Sequence, residues 1–319
     1  MDPQRKKAAA ATLSVASNSC LVVLKLVVGT LIGSVSVISE AIHSAVDLVA
    51  ALIALVAVRK SGKPPDAEHP YGHGKVENVS GAIEALLIFV AAGWILYEAV
   101  GKLRHPEPVE AVGWGVGVML LSSVVNILVS RQLFKVGEET DSIALKADAW
   151  HLRTDVYTSA GVMVGLGLIW LGGKLWPGTD LHWIDPVAAI AVALLIIKAA
   201  YDLTRDSARD LLDTKLPEKE EQWIRDFIAS HQGVALGIHD FRTRKSGADR
   251  FVEFHVLVPG DLTVAEAHDD TAALSAGIKE RFPGTAVTIH IDPCHLDCPP
   301  ECVDSCSLSE EEREARRKG

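Results

Sequence analysis

Apolar residues run almost unbroken through the first two thirds of the chain and are then broken up by charge. A helix that crosses a bilayer needs about 20 mostly apolar residues, and six windows reach that length: roughly 9–32, 36–60, 78–101, 110–134, 142–172 and 183–205. Turn-rich breaks separate them, at Gly33, around His105-Pro106, and across Gly172–Asp180 with its Gly172, Gly173, Pro177 and Gly178. From Pro217 the pattern becomes that of a small soluble domain. A charged helix at about 218–230 is followed by strands at Val234–Thr243 and Phe251–Val258, an acidic helix at about 264–282 and a last strand at Ala286–Ile291. The order α-β-β-α-β predicts a small α+β sheet with its helices on one face. The expected organisation is an α-helical membrane protein with six transmembrane helices over 1–212, an α+β domain over 213–293, and a Cys-containing tail over 294–319 without fixed structure.

Lysine and arginine orient such a bundle, because they stay on the cytosolic side. Arg5, Lys6, Lys7, Arg59, Lys60, Lys63, Lys75, Arg131, Lys135, Arg205 and Arg209 fall on one side of a six-span arrangement, and Lys102, Arg104 and Lys174 on the other. Both termini are therefore expected in the cytosol. Arg5-Lys6-Lys7 leads into a run too long for the core of a signal peptide and without a convincing cleavage site, so it reads as the flank of a first span. The net charge of -10 comes largely from the second part of the chain and argues against a nucleic-acid partner. Of the five cysteines, Cys20 is alone in the first span, while Cys294, Cys298, Cys302 and Cys306 cluster in the tail. Stable disulfides are disfavoured in a cytosolic tail, which leaves free thiols or metal ligands. Pro299-Pro300 interrupts any helix that would align the four thiols.

An ionisable side chain inside a span is costly and asks for a reason. His43 and Asp47 stand four apart in the second span, and His151 and Asp155 repeat that spacing in the fifth. Residues four apart share one helix face, so each pair can converge on one point. Two such helices facing each other supply two imidazoles and two carboxylates, a donor set suited to tetrahedral zinc. The alternative is two hydrogen-bonding pairs that hold helices together, and the repetition favours the metal. Asn18, Glu40, Asn126, Asp148 and Asp185 are better read as interhelical hydrogen-bonding groups, with Asp148 placed to line the same cavity one turn before His151. In the loop Asp66-Ala-Glu-His69-Pro-Tyr-Gly-His73-Gly-Lys75, the residues Asp66, His69 and His73 can chelate one ion if the loop folds back at Gly72 and Gly74. A solvated polar loop is the other reading.

The paired H-x-x-x-D motifs, the segment His69-Pro-Tyr-Gly-His-Gly-Lys75 and the trailing α+β domain together resemble the cation diffusion facilitator family of divalent metal/proton antiporters, over about residues 10–294. The segments GIHDFRTRKSG, RFVEFHVLVP, AHDD and TIHIDPC look like those of its bacterial zinc and iron efflux members. The resemblance implies a homodimer, a ferredoxin-like cytosolic domain, a transport site on His43, Asp47, His151 and Asp155, and a loop site on Asp66, His69 and His73. It further implies a binuclear cytosolic zinc site on His239, His255, His268, His290 and Asp292, and a charge pair between Lys75 and Asp213 near the membrane-domain junction. In a strand His290 and Asp292 point to one face, which agrees with that assignment. Two positions depart from the pattern. His43 stands where many bacterial relatives have Asp, and a second imidazole favours Zn²⁺ over a harder ion such as Mn²⁺. Ile291 stands where a relative offers a polar side chain, which puts one cytosolic ligand in doubt.

The resulting expectation is a multi-pass inner-membrane transporter that exports a divalent transition metal, Zn²⁺ foremost, in exchange for protons, with lipid around it. Ligand protonation would weaken the site on the acidic side and so release the metal. No G-x-x-x-x-G-K-[ST] motif suggests an ATP-driven pump, and no H-E-x-x-H motif suggests a hydrolase. A membrane-anchored metal sensor is the alternative, and metal flux separates the two.

Overall fold

The computed structural model describes residues 2–33, 35–104, 115–175, 183–231, 235–294, 306 and 308–318. The chain divides into two compact units, Met1–Leu211 and Leu212–Gly319. The first is helical, with α1 (Pro3–Ile32), α2 (Val35–Ser61), α3 (Lys75–Arg104), α4 (Gly115–Glu139), α5 (Ile143–Leu175) and α6 (Ile184–Leu211). Asp2 starts α1 by accepting the Gln4 N–H at 3.2 Å, with Pro3 in the first turn where its missing donor costs nothing. Gly33, at φ 68°, ends it in the left-handed conformation that only glycine adopts freely. Among the described residues α1, α2, α3 and α6 are long and apolar enough to cross a membrane. The first half of α5 is more polar, holding Lys146, Asp148, Arg153 and Asp155.

The helices pack through small residues. Ala10, Ala11, Ala57, Ala144 and Ala149 are buried between α1, α2 and α5, and Ala85, Ala92, Ala147 and Ala200 between α3, α5 and α6. Lipid chains are as apolar as leucine, so close backbone approach and van der Waals fit must hold such a bundle together. At Gly29 a Cβ would lie 2.9 Å from Ile38 Cγ1, so the α1–α2 contact leaves no room for a side chain there. The large apolar residues face outward instead: Val23, Val27, Ile42, Val46, Leu86, Val90, Trp94 and Leu194 are all exposed.

One polar knot ties these helices together. Glu77, fully buried near the start of α3, accepts from Lys7 Nζ at 3.0 Å, from Ser61 Oγ at 2.7 Å and from Ser142 Oγ. The donors come from α1, α2 and the turn before α5. Lys7 is itself buried, so each charge answers the other where water is scarce. Asn78, next in sequence, donates to Asp210 Oδ2 at 3.0 Å and fastens α3 to α6.

The second unit holds α7 (Glu218–Ser230), β1 (Gly237–Ser246), β2 (Asp249–Pro259), α8 (Val264–Arg281), β3 (Ala286–Cys294) and α9 (Glu310–Lys318). β1 and β2 form an antiparallel hairpin that turns at Gly247, φ 61°. β3 pairs with β2 in parallel, which requires a crossover, and α8 supplies it. Alternate residues Val252, Phe254, Val256 and Val258 of β2 face the core, packed with Ile289 and Ile291 of β3 against Ile224 and Ile228 of α7 and Leu274 and Ile278 of α8. The unit of long apolar helices followed by a small α+β unit, as expected from the sequence, is the architecture present.

Within the tail, expected to be without fixed structure, α9 forms on a capping box: Ser309 Oγ accepts the Glu312 N–H at 3.3 Å while Glu312 Oε2 accepts the Ser309 N–H at 2.7 Å. Glu310, Glu311 and Glu312 in its first turn complement the helix dipole. Cys306 pairs as an isolated bridge with Gly237. Cys298, Cys302 and Pro299-Pro300 lie outside the described residues, as do His105-Pro106, Pro177, Gly178 and Val234.

The knot gives a stability prediction. Glu77→Ala leaves Lys7 buried without its counter-charge and should cost about 3–5 kcal/mol, whereas Lys7→Met combined with Glu77→Leu should recover most of that loss. Thermal unfolding in mild detergent reads both, and equal loss in single and double variants would contradict it.

Candidate metal centres

The tandem motifs meet across the bundle. Spans two and five of an alternating bundle run in opposite directions, so two copies of H-x-x-x-D set each histidine opposite the other helix's aspartate. The pairing follows that rule. His151 Nε2 lies 3.2 Å from Asp47 Oδ1, and His43 Nε2 lies 3.6 Å from Asp155 Oδ1. Ligand atoms of His43, Asp47 and Asp155 all lie within 4.8 Å of one another, and His151 joins the group through Asp47. Asp47 and His151 are buried, whereas the His43 side chain is 54% exposed, which makes it the accessible member of the group. Two buried atoms, Asp155 Oδ2 and His151 Nδ1, have no hydrogen-bond partner among the described residues.

His43, Asp47 and Asp155 border a polar cavity of about 170 Å³ between α1, α2, α4 and α5, with Ser44, Ser122, Asn126 and Lys25 also in its wall. Lys25 is a lining residue that the sequence pattern does not single out. It stands in the run Leu21-Val-Val-Leu-Lys25-Leu-Val-Val, where the same cost of burial that singles out His43 applies. Asn18, Asn126 and Asp148 are buried, but Asn18 Nδ2, Asn126 Oδ1 and both Asp148 carboxylate oxygens have no hydrogen-bond partner among the described residues, and Asp148 does not line the cavity. The side chains of Glu40 and Asp185 lie outside what is described.

The loop folds back on itself. Asp66 Oδ1 accepts the backbone N–H groups of His69 at 2.7 Å and Glu68 at 3.0 Å, and Gly72 takes φ 83°. The turn brings Asp66 Oδ1 to 3.3 Å from His69 Nδ1 and Oδ2 to 3.2 Å from His73 Nε2, so the three residues form one cluster. The His69 N–H, acting against partial desolvation, holds the Asp66 carboxyl below its ordinary range and keeps it charged for a cation. Lys75 opens α3 just beyond.

In the second unit three histidines stand in one row across the sheet. His239 is paired with His255, and His255 with His290. Their rings are 4.9 and 4.6 Å apart, on the face opposite the core. Asp292, two residues past His290 and on the same face, gathers all three: Oδ2 lies 2.8 Å from His255 Nδ1 and 3.2 Å from His239 Nε2, and Oδ1 lies 3.2 Å from His290 Nε2. Burial pushes the Asp292 carboxyl up, but the hydrogen bond from His255 and the charges of His290, His255 and His239 together hold it below its ordinary value. An N₃O set of this kind fits a zinc ion by donor type. Ile291 packs on the core instead, and a different residue supplies a further carboxylate. Asp240 clusters with His239 and His255, having φ 51° at the point where the β1–β2 register shifts between His239 and Arg242. His268 is exposed on α8 and belongs to none of the three-residue clusters among the described residues. Asp213 lies 3.6 Å from Arg244 within its own unit.

Residues 11–212 match the family model described as "Cation efflux transmembrane domain", and residues 216–294 match "Cation efflux protein, cytoplasmic domain", a model named ZT_dimer. The chain is 36% identical over 283 residues to the uncharacterized transporter sll1263 of Synechocystis sp., covering 89% of each. It is 33% identical over 287 residues to the cation-efflux pump FieF of Salmonella newport, covering 90% of this chain and 93% of that one. A solved structure of CzrB in its zinc form is 38% identical over 27% of this chain and 96% of its own, with a TM-score of 0.25.

The row of histidines makes a binding prediction. His255 is central to it, and His255→Ala should weaken zinc binding at the cytosolic cluster by more than about tenfold, since even outer partners of a metal ligand are worth that much. Chelator competition on the purified full chain measures it, and unchanged affinity would remove His255 from the ligands.

Proposed function

The chain belongs to the cation efflux, or cation diffusion facilitator, family of membrane transporters, and from that premise we propose that it exports Zn²⁺ from the cytosol in exchange for protons. It is a transporter and not an enzyme. The observation that carries the reading is the cross-pairing of His43 with Asp155 and His151 with Asp47, beside a cavity in the bundle that His43, Asp47 and Asp155 line. Two imidazole nitrogens and two carboxylate oxygens suit a borderline divalent ion that accepts tetrahedral geometry. The paired contacts also supply the exchange. Each histidine–aspartate pair can hold a proton between its members when the metal is absent, and Zn²⁺ must displace that proton to bind. Metal and protons then compete for the same four side chains, and alternating access on the two sides couples their gradients.

The other parts follow in order. The match to a dimerisation-domain model supports a homodimer. We place the protein in the inner membrane, surrounded by lipid, with both termini in the cytosol. The cluster of His239, His255, His290 and Asp292, with His268 as the ligand implied by resemblance alone, regulates rather than conducts, because it lies outside the spanning helices. A regulatory zinc there would tie the three strands together. Asp66, His69 and His73 form a second, loop-borne site, and Lys75 with Asp213 remains the proposed charge pair at the junction.

Flux in proteoliposomes tests the reading. Asp155→Ala should lower zinc flux to background while the protein stays folded, because it removes one ligand and one of the two charges that offset the ion. His43→Asp should keep flux and relax the preference for Zn²⁺ over Mn²⁺, since a harder oxygen replaces an imidazole nitrogen. A pH gradient that is acid on the side receiving metal should accelerate flux. Undiminished zinc flux in Asp155→Ala would move the transport site elsewhere, and indifference to the pH gradient would remove protons from the exchange.

A further inference from the structure

Lys25 lies in the second half of α1, two turns before its end, and is 4% exposed. An ammonium in such a place costs several kcal/mol to desolvate and persists only where its surroundings answer its charge. Its Nζ donates to Ser44 Oγ at 2.8 Å, and Ser44 follows the ligand His43 on α2. Both line the cavity that holds His43, Asp47 and Asp155. The lysine is thus a fixed positive charge in the wall of the compartment that receives a divalent cation, where simple electrostatics would exclude it.

We propose that Lys25 is a positioning residue that sets how tightly the cavity holds its cargo, acting as a tethered cation that keeps the bound metal exchangeable. The proposal rests on the reading of this cavity as the transport site. A charge count gives the reason. In the proton-free state that loads metal, Asp47 and Asp155 alone make the cavity doubly negative and the metal-filled one neutral, a combination that captures a divalent ion and releases it slowly. With Lys25 in the wall, the proton-free cavity carries one negative charge and the metal-filled one carries one positive charge. The ammonium offsets part of the carboxylate charge when the metal has left and repels the metal when it is present. The hydrogen bond to Ser44 holds the ammonium at a set place on α2, one residue from a ligand. A transporter must let go of its ion on every cycle, so affinity beyond what loading needs slows turnover.

Zinc flux against zinc concentration in proteoliposomes of the full-length protein tests this, because KM and kcat there report the transport cavity and not the cytosolic cluster. Lys25→Gln keeps a donor for Ser44 and removes the charge, and Lys25→Met removes both. Each should lower KM by about tenfold or more, the scale expected when a unit charge leaves the neighbourhood of a divalent ion, and should lower kcat with it. Lys25→Arg, which keeps the charge, should restore both values toward wild type. A merely structural lysine would lower flux with KM unchanged or raised, and that result would overturn the proposal. Failure of both Lys25→Gln and Lys25→Met to fold would also overturn it, by making the lysine an anchor between α1 and α2. If the site itself is misplaced, Asp155→Ala will retain zinc flux whatever Lys25 does. If only this inference is wrong, flux will depend on Asp155 while KM ignores Lys25.

Discussion

A charge in hydrocarbon has no water to answer it, and the membrane half of this protein is arranged around that constraint. Three buried ionisable groups meet it by reaching across to another helix. Glu77 of α3 takes Lys7 from α1, His151 of α5 takes Asp47 from α2, and Lys25 of α1 takes Ser44 from α2. These pairs fix which helix faces meet, a choice that apolar contact alone leaves open because lipid and leucine are equally apolar. Small residues then let the backbones close: alanines fill the interfaces, and Gly29 lets α2 approach where a methyl group would collide.

The two polar assemblies in the bundle differ in one respect that separates structure from work. Glu77 is saturated, with three donors on its two oxygens and a full counter-charge. The histidine–aspartate set is unsaturated, with buried atoms on His151 and Asp155 that have no partner among the described residues and with a cavity beside them. A closed network holds helices in place. An open one is receptive to a ligand that completes it.

Much of this arrangement is legible in the amino-acid sequence. Long apolar runs announce spanning helices, and the repeated H-x-x-x-D announces a site, because both signals lie within one helix. The outward row of His255, His290 and Asp292 is legible as well, since alternation along a strand assigns each residue a face. What stays hidden depends on contacts between elements or on local exceptions to a period. Lys25 obeys the same rule as His43, yet nothing near it in sequence hints at a partner, which comes from the next helix. Asp240 follows His239 directly, so a regular strand would turn it to the other face. Its left-handed φ and the register shift bring it to the cluster instead. The tail helix is signalled only by Ser309 and Glu312, which carry the spacing of a capping box just beyond cysteines and prolines that argue against regular structure.

The row His239–His255–His290 makes the cytosolic cluster a property of strand pairing. The rings sit side by side because their backbones are hydrogen-bonded neighbours, about 4.8 Å apart as adjacent strands must be. Insertion of one residue in β2 before Phe254 would turn the His255 imidazole toward α7 and α8 and, in the same step, turn Phe254 and Val256 the other way. The ligands and the oily face are thus two readings of one alternation. An insertion or deletion inside these strands cannot erase the cluster while sparing the fold, so the lineage of this domain can shed its histidines only by substitution, one side chain at a time.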